Sequence, residues 1–524
     1  MGVQRLFHFI IFCGTRRNLC YHCHKLNGRP QRVCMETIMN KTSKQDNLSA
    51  GSHNSILKTK ITALLLAALL VFSLSSCAKI SGLDKERAKA ITEASEELRT
   101  SLTESFTAAA SSEELLNAIV AFADENEIYY KLVNNNIIIL VKQAASETAD
   151  LPEITMHCSI SSENIEGSAA KTAALLSALK EASNTSKTTV IVSLRDGLFY
   201  TGAMALPTDY LETGYLVNIS DYEKPVLFKN SASLDTHRFS RDPQTEPLEG
   251  YKSYEISIQG LPRSTPAQID EEQDDPVLML YDILSWCEQT HIDYHLSSFK
   301  AGDSFETLPQ SASLTISIDP TDTGKFQNKV YGMISDFNEK HSEDAVPPSF
   351  TMHHIDALTS AVSTEDATDL VGLIYILLSN FDYLSKNEVE TTVGRQDFSL
   401  VDVSDKSMNF TISCRFMDAS KEHDDSSAFQ ELARLNSFSV LDREIYPRWT
   451  PEEESLLQMS FERCAEQAKL SPHSASTVDI LETGVFAMKN PDLQQLAIGI
   501  PPESCGDLTK ALVLLIENGG QSAL

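Results

Sequence analysis

Metal-type spacings occur at three places in this 524-residue chain. Cys20-Tyr-His-Cys23-His24 could offer thiolates and imidazoles to zinc, while His291-Ile-Asp293 and His354-Ile-Asp356 each set an imidazole two residues before a carboxylate. A zinc site needs three or four such donors converging at fixed geometry. Only Cys34 follows the first cluster, and the two His-x-Asp pairs stand apart from other donors, so hydrogen-bonded or solvent-facing histidines account for them. The thiols argue the same way. Cys13, Cys20, Cys23 and Cys34 crowd the beginning, whereas Cys158, Cys287, Cys414, Cys464 and Cys505 lie far apart, which is no disulfide framework. The formal charge is −30, and beyond residue 76 there are 33 basic against 71 acidic residues. A surface of that sign repels phosphate backbones, so nucleic acid is excluded as a partner.

The remaining reactive cysteine is Cys77. An uncharged, mostly apolar run from Ile61 to Ser76 follows Lys58 and Lys60 and ends in Leu74-Ser75-Ser76-Cys77. A basic flank, a short apolar stretch and small residues before a cleavage point make a signal peptide. The run falls short of the roughly 20 apolar residues that span a membrane. Leu-Ser-Ser-Cys resembles a bacterial lipobox, and that resemblance implies a diacylated Cys77, a membrane anchor and an extracytoplasmic location. Because a signal peptide belongs at the start of a chain, translation is expected from Met39, with 1–38 a mis-called extension and 39–76 the signal.

Beyond the anchor, 77–112 is rich in Ala, Ser, Glu and Lys and reads as a tether or solvated helix. Strand and helix periods then alternate: strands at Ile128–Tyr130, Asn136–Val141, Glu153–Ser159, Thr188–Leu194 and Gly214–Ile219, helices at Glu113–Asn126 and Ser168–Ala182. This pattern predicts an α/β layer over 113–250 with a largely parallel sheet. An α+β texture follows over 251–445, opening with a strand at Ser253–Gln259 and a helix at Asp275–Thr290. Tyr446-Pro-Arg-Trp-Thr-Pro451 punctuates the chain, and 446–524 is expected to return to the first layer with a helix (Glu452–Leu470), a strand near Asp479–Leu481 and a last helix (Cys505–Asn518). The fold class is therefore α/β in two chain segments with an inserted α+β domain.

Several strings, in this order, resemble the aminoacyl-histidine dipeptidase branch of the di-zinc exopeptidases over about 110–520. They are Tyr200-Thr-Gly-Ala-Met-Ala-Leu206, Tyr215-Leu-Val-Asn-Ile219, the segment from Gly250 to Leu261, that from Asp275 to Leu284, Tyr446–Pro451 and Leu481-Glu-Thr-Gly484. The resemblance implies an inserted domain of the lid or dimerisation type, hence a homodimer in some cases, and a cleft holding two zinc ions. Its ligands and general base would fall at positions that here read differently. The His-x-Asp becomes Ser159-Ile160-Ser161, the bridging Asp becomes Ile165, and the Glu-Glu pair becomes Asp196-Gly197, with Asp196 at the general-base position. Ser220 replaces an Asp, and the histidines expected near Gly260-Leu-Pro-Arg-Ser-Thr265 and Gly499-Ile-Pro-Pro-Glu-Ser504 are missing.

Neutral side chains do not compensate two divalent ions. The sequence therefore points to a catalytically inactive member of this fold with no metal or other cofactor, binding a peptide, an amino acid or a partner protein at the membrane. The alternative is an active hydrolase with zinc at a relocated or single-metal site drawn from His157, Glu166, Asp196 and Asp221. A third reading is a purely structural envelope lipoprotein.

Overall fold

The computed structural model describes residues 83–144, 151–183, 186–195, 200–262, 264, 273–378, 382–384, 392–451 and 455–519. Met39, Cys77, Asp196, Gly197 and the Cys20–His24 cluster lie outside them. Among the described residues no helix is long and apolar enough to cross a membrane.

One sheet has the order β1-β2-β4-β3-β5-β19-β6-β18. Its strands are β1 (Tyr129–Val133), β2 (Ile137–Lys142), β3 (Ile154–Ile160), β4 (Thr188–Leu194), β5 (Tyr215–Asp221), β6 (Val226–Ser231), β18 (His473–Thr477) and β19 (Gln494–Ile500). The central strands β4, β3, β5 and β19 run parallel, and β2 and β6 flank them antiparallel. Every residue of β3 and β4 is buried, as expected of parallel strands covered on both faces. Two distant chain segments thus build one sheet, as the alternating pattern predicted.

On one face lie α1 (Lys85–Ala108), α3 (Ile165–Glu181) and α11 (Cys505–Glu517), which pack on one another. α2 (Ser112–Glu125) and α9 (Leu456–Ala468) extend this layer. On the other face are the short α4 (Thr201–Ala205) and α10 (Glu482–Lys489). The tether or solvated helix expected over 77–112 is a helix from Lys85 to Ala108, but one with a buried face. Ile91, Leu102 and Phe106 recur at helical spacing and are buried against the core, each stabilising by about 1.5–3 kcal/mol. Arg87 at its start pairs with Glu517 and donates to the Glu181 carbonyl at 3.0 Å. The Ser-, Glu- and Lys-rich composition is that of its solvent face.

The second sheet is wholly antiparallel, in the order β12-β9-β11-β10-β15-β16-β7-β17. It contains β7 (Leu234–Arg241), β9 (Lys252–Gln259), β10 (Tyr294–Ala301), β11 (Ala312–Ile318), β12 (Ser349–Ile355), β15 (Thr392–Ser404), β16 (Met408–Phe416) and β17 (Ser439–Tyr446). A short β14 (Asp382–Leu384) pairs with β15, and β8 (Thr245–Pro247) with β13 (Ser360–Val362) makes a separate ribbon. α5 (Pro276–Thr290), α6 (Thr323–Lys340) and α7 (Thr364–Leu377) share its core, and α8 (Ala419–Leu435) packs beside β17. Because β7 already belongs here, the chain leaves the first sheet near Ser233 rather than at 250. The last strand of the second sheet, β17, ends at Tyr446, and the next helix, α9, packs in the first layer.

Two elements near the end also differ from expectation. Asp479–Leu481 is no strand, because its residues lead into α10; the strand is β18, just before it. The central strand β19 was not foreseen, although Leu496 to Ile500 reads as an apolar run.

Candidate functional site

A cavity of about 410 Å³ opens at the carboxyl ends of β3 and β5, where open α/β sheets place their ligands. Ser159 and Ser161 from the end of β3 and Ser220 from the end of β5 line it. Three of the five positions at which the sequence led one to look for metal ligands therefore converge. Ile165 does not: it opens α3 and packs against the core. Gly197 and Asp196 fall outside the described residues. The second sheet contributes Ser264, Glu306, Thr307 and Arg415, so the Gly260–Thr265 segment does reach the site.

Beneath the cavity runs a chain of buried polar groups. Ser159 Oγ donates to Glu482 Oε1 at 2.5 Å, and Asn218 Nδ2 donates to Glu482 Oε2 at 3.1 Å. With that amide nitrogen engaged, Asn218 Oδ1 accepts from His157 Nδ1 at 2.7 Å, leaving Nε2 to accept from Ser193 Oγ at 3.0 Å. Burial holds the His157 ring below its usual pKa, so the ring is neutral. Burial disfavours the Glu482 carboxylate, yet the Ser159 hydroxyl and the Arg195 guanidinium help to hold its carboxyl below the usual range. Its place in the first turn of α10 also favours the anion.

Three of the strings that carried the resemblance fix this carboxylate. Tyr446 Oη accepts from Tyr200 N at 2.9 Å, and Tyr200 Oη donates to the Ile480 carbonyl at 2.9 Å. A Cβ on Gly484 would lie 2.1 Å from the Pro447 carbonyl oxygen, so only glycine lets α10 approach that closely.

Two of the acids that line the cavity, Asp221 and Glu306, face protein cations. Lys171, from α3, has a side chain only 3% exposed, and its Nζ lies 2.7 Å from Asp221 Oδ2. Gly167 one turn earlier makes the room: a Cβ there would stand 2.3 Å from Asp221 Oδ1. Arg195, just after β4, lies over the Tyr200 ring at 4.7 Å and reaches Glu306 Oε2 at 3.5 Å. Burial pushes the Glu306 carboxyl up to about 7 despite Arg195. Arg415 Nη2 donates to the Glu306 carbonyl at 2.6 Å, and its Nη1 lies 3.3 Å from Asp397.

These residues do not fit the zinc that the resemblance implies. Ser159 turns its proton toward Glu482, Asp221 is held by an ammonium, and His157 is sealed between Asn218 and Ser193. Glu166 is exposed on α3, away from the cavity lining. Among the described residues no group of three His, Cys, Asp or Glu is arranged to hold a metal ion. His291 caps α5 in a left-handed conformation and is exposed, and His354 lies edge-on to Tyr254 on the edge strand β12. Neither His-x-Asp pair gathers further donors. The groups that sequence reasoning missed are Lys171, Arg195, Glu306 and Arg415; the one available signal was a lysine inside the Ala- and Leu-rich stretch of α3.

No protein-family model and no curated protein sequence matches the chain. Among solved structures it is similar to the aminoacylhistidine dipeptidase of Vibrio alginolyticus, at 14% identity and a TM-score of 0.56, over 84% of this chain and 98% of that one. It is also similar to aminopeptidase PepT of Bacillus cereus, at 9% identity and a TM-score of 0.48, over 82% and 99%. The first of these likenesses shows a shared fold across most of the chain.

Proposed function

We propose that this chain is a lipoprotein, anchored through a diacylated Cys77 at the extracytoplasmic face of a membrane, whose peptidase-like fold serves as a metal-independent binding protein for a peptide or amino acid. The observation that carries the binding reading is the Lys171–Asp221 pair: a side-chain ammonium, not an open set of donors, answers the carboxylate at the strand ends. Ser159, Ser161 and Ser220 around it are neutral, and a cavity of about 410 Å³ falls within the few-hundred-Å³ range of small-molecule sites. Anchorage rests on the sequence around Cys77 alone. The inserted sheet, with edge strands β12 and β17, is the part through which a homodimer would form.

The test is elemental analysis and dipeptide hydrolysis on the full chain purified in detergent. Less than a tenth of an equivalent of zinc, and no hydrolysis after zinc is added, is the expected result. Two equivalents of zinc with hydrolysis abolished by a chelator would overturn the reading.

A further inference from the structure

Resting on that binding reading, we infer that the cavity recognises the carboxylate of a small organic monoacid, anchored by Lys171 and Arg195. Lys171 lies in a stretch of α3 buried at every position from Gly167 to Leu179. An ammonium costs several kcal/mol to bury without compensation. An apolar residue would fill the same helix face without that cost. The ammonium has three N–H donors, and the hydrogen bond to Asp221 at 2.7 Å engages one. Lys171 lines the cavity, so a ligand can meet the others.

Arg195 supplies the second anchor. Its Nε has no hydrogen-bond partner among the described residues, and Glu306, which its Nη2 reaches, stands at the 3.5 Å limit of a hydrogen bond. The Arg195 side chain is about one-third exposed and lines the cavity, and the planar fork of a guanidinium matches the two oxygens of a carboxylate. Gly167 shows that the backbone is cut away around a carboxylate at this place. Asp221 is about one-third exposed, so it can yield part of the ammonium to a ligand.

The acids of the lining set the ligand's charge. Asp221 is paired with Lys171, Glu482 with Ser159 and Asn218, and Glu306 with Arg195. Glu163 and Asp479 complete the set. These carboxyl groups share the lining with Lys171, Arg195 and Arg415, and their ionised members repel a dianion such as phosphate about twice as strongly as a single carboxylate.

Butyrate and butyramide share a shape and differ in charge, so they separate this anchor from mere filling of the cavity. Titration calorimetry and thermal shift on the full chain in detergent, at constant ionic strength with phosphate as a third arm, should show binding of butyrate alone. Lys171→Met should abolish that response and Arg195→Gln should weaken it. Asp221→Asn removes the internal competitor and should tighten butyrate binding about tenfold, the worth of one charge-assisted hydrogen bond. That gain does not depend on Lys171→Met folding. Equal binding of butyramide, preference for phosphate, no response to any probe, or unchanged affinity in Asp221→Asn would each overturn the anchor. Butyramide bound as well as butyrate would leave the binding reading standing, whereas zinc uptake with hydrolysis would remove that reading itself.

Discussion

Glu306 gives the sharpest quantitative expectation. Its side chain is 3% exposed, and burial lifts its carboxyl from an ordinary 4.5 to about 7, against the pull of Arg195. The folded protein therefore keeps this proton over a range in which the unfolded chain has released it. Stability contributed by the group is present below the unfolded pKa and falls as pH rises toward the folded one, because the native state binds more protons. A raise of that size corresponds to about 3 kcal/mol in all, of which roughly 2–3 kcal/mol falls between pH 5 and 8. A glutamine in its place would not titrate.

The stability difference, Glu306→Gln minus wild type, should consequently become more favourable to the variant by roughly 2–3 kcal/mol from pH 5 to pH 8, whatever its offset at pH 5. Comparing the two proteins at each pH cancels every other titrating group that the substitution does not touch. Urea denaturation followed by fluorescence reports the difference, since Trp449 is buried near Tyr446 and Ser231. Midpoints that run parallel with pH would refute a raised pKa for Glu306. A difference that moves the other way would mean that Arg195 outweighs burial.

Glu482→Gln removes the acceptor of Ser159 and the charge beside Arg195, and should destabilise by about 2–4 kcal/mol at neutral pH. Since its folded pKa is depressed, that loss should shrink as pH falls below the ordinary carboxylate range, which thermal melts at pH 7 and pH 3.5 will check. Gly484→Ala sets a Cβ against the Pro447 carbonyl oxygen at 2.1 Å and should cost about 3 kcal/mol. Gly332→Ala, in open space on α6, should instead stabilise by up to about 1 kcal/mol; equal melting shifts would refute the close-packing account. Cys77→Ala should release the protein from the membrane fraction, and unchanged retention would end the lipoprotein proposal.

What was legible in the sequence was whatever repeats with a period. β4 needed only its β-branched run, and α5 its Asp275 cap followed by Pro276. The two-segment sheet followed from alternation and from the break at Tyr446–Pro451. What failed were elements whose local composition opposes their burial. Helix α1 carries enough Glu, Lys, Ser and Thr to read as solvated, yet three apolar residues on one face suffice to dock it. β7 has the polar residues Asp235, Thr236 and His237 buried within it, because β16 and β17 cover its two edges and His237 binds Asp442 at 2.8 Å. Strand β19 follows Asn490-Pro491 so closely that the segment reads as a loop. In the site, Ser159, Ser161 and Ser220 were found by counting along the chain. Lys171, Arg195 and Glu306 were not, since they meet only through tertiary structure: Arg195 and Glu306 are 111 residues apart.

The strings that carried the resemblance share a physical task distinct from catalysis. Tyr200, Tyr446 and Gly484 brace one another and the start of α10. Asn218, inside Tyr215–Ile219, joins His157 to Glu482. Tyr446, Gly484 and Asn218 pack and hydrogen-bond beneath the cavity, and Tyr200 holds the same network from its lining, so their contacts with one another involve no bound ion. Ser159, Ser161 and Ser220, three of the positions at which the chain differs from the dipeptidases its sequence resembles, lie at the surface of the cavity, where a carboxylate facing a metal has a different electrostatic requirement from one facing Lys171. A buried charge must be compensated by something; here the buried member is the Lys171 ammonium, and Asp221, about one-third exposed, supplies that compensation without metal. With Lys171 held there, a divalent cation at the same place meets a fixed positive charge at close range, which at an effective dielectric of about 20 repels it by several kcal/mol. The ammonium of Lys171 and the neutral side chains of Ser159 and Ser220 therefore act in the same direction, and introducing His and Asp at the serines alone should not recruit zinc unless Lys171 is also removed. Zinc bound stoichiometrically by a Ser159→His, Ser161→Asp variant that retains Lys171 would refute that argument.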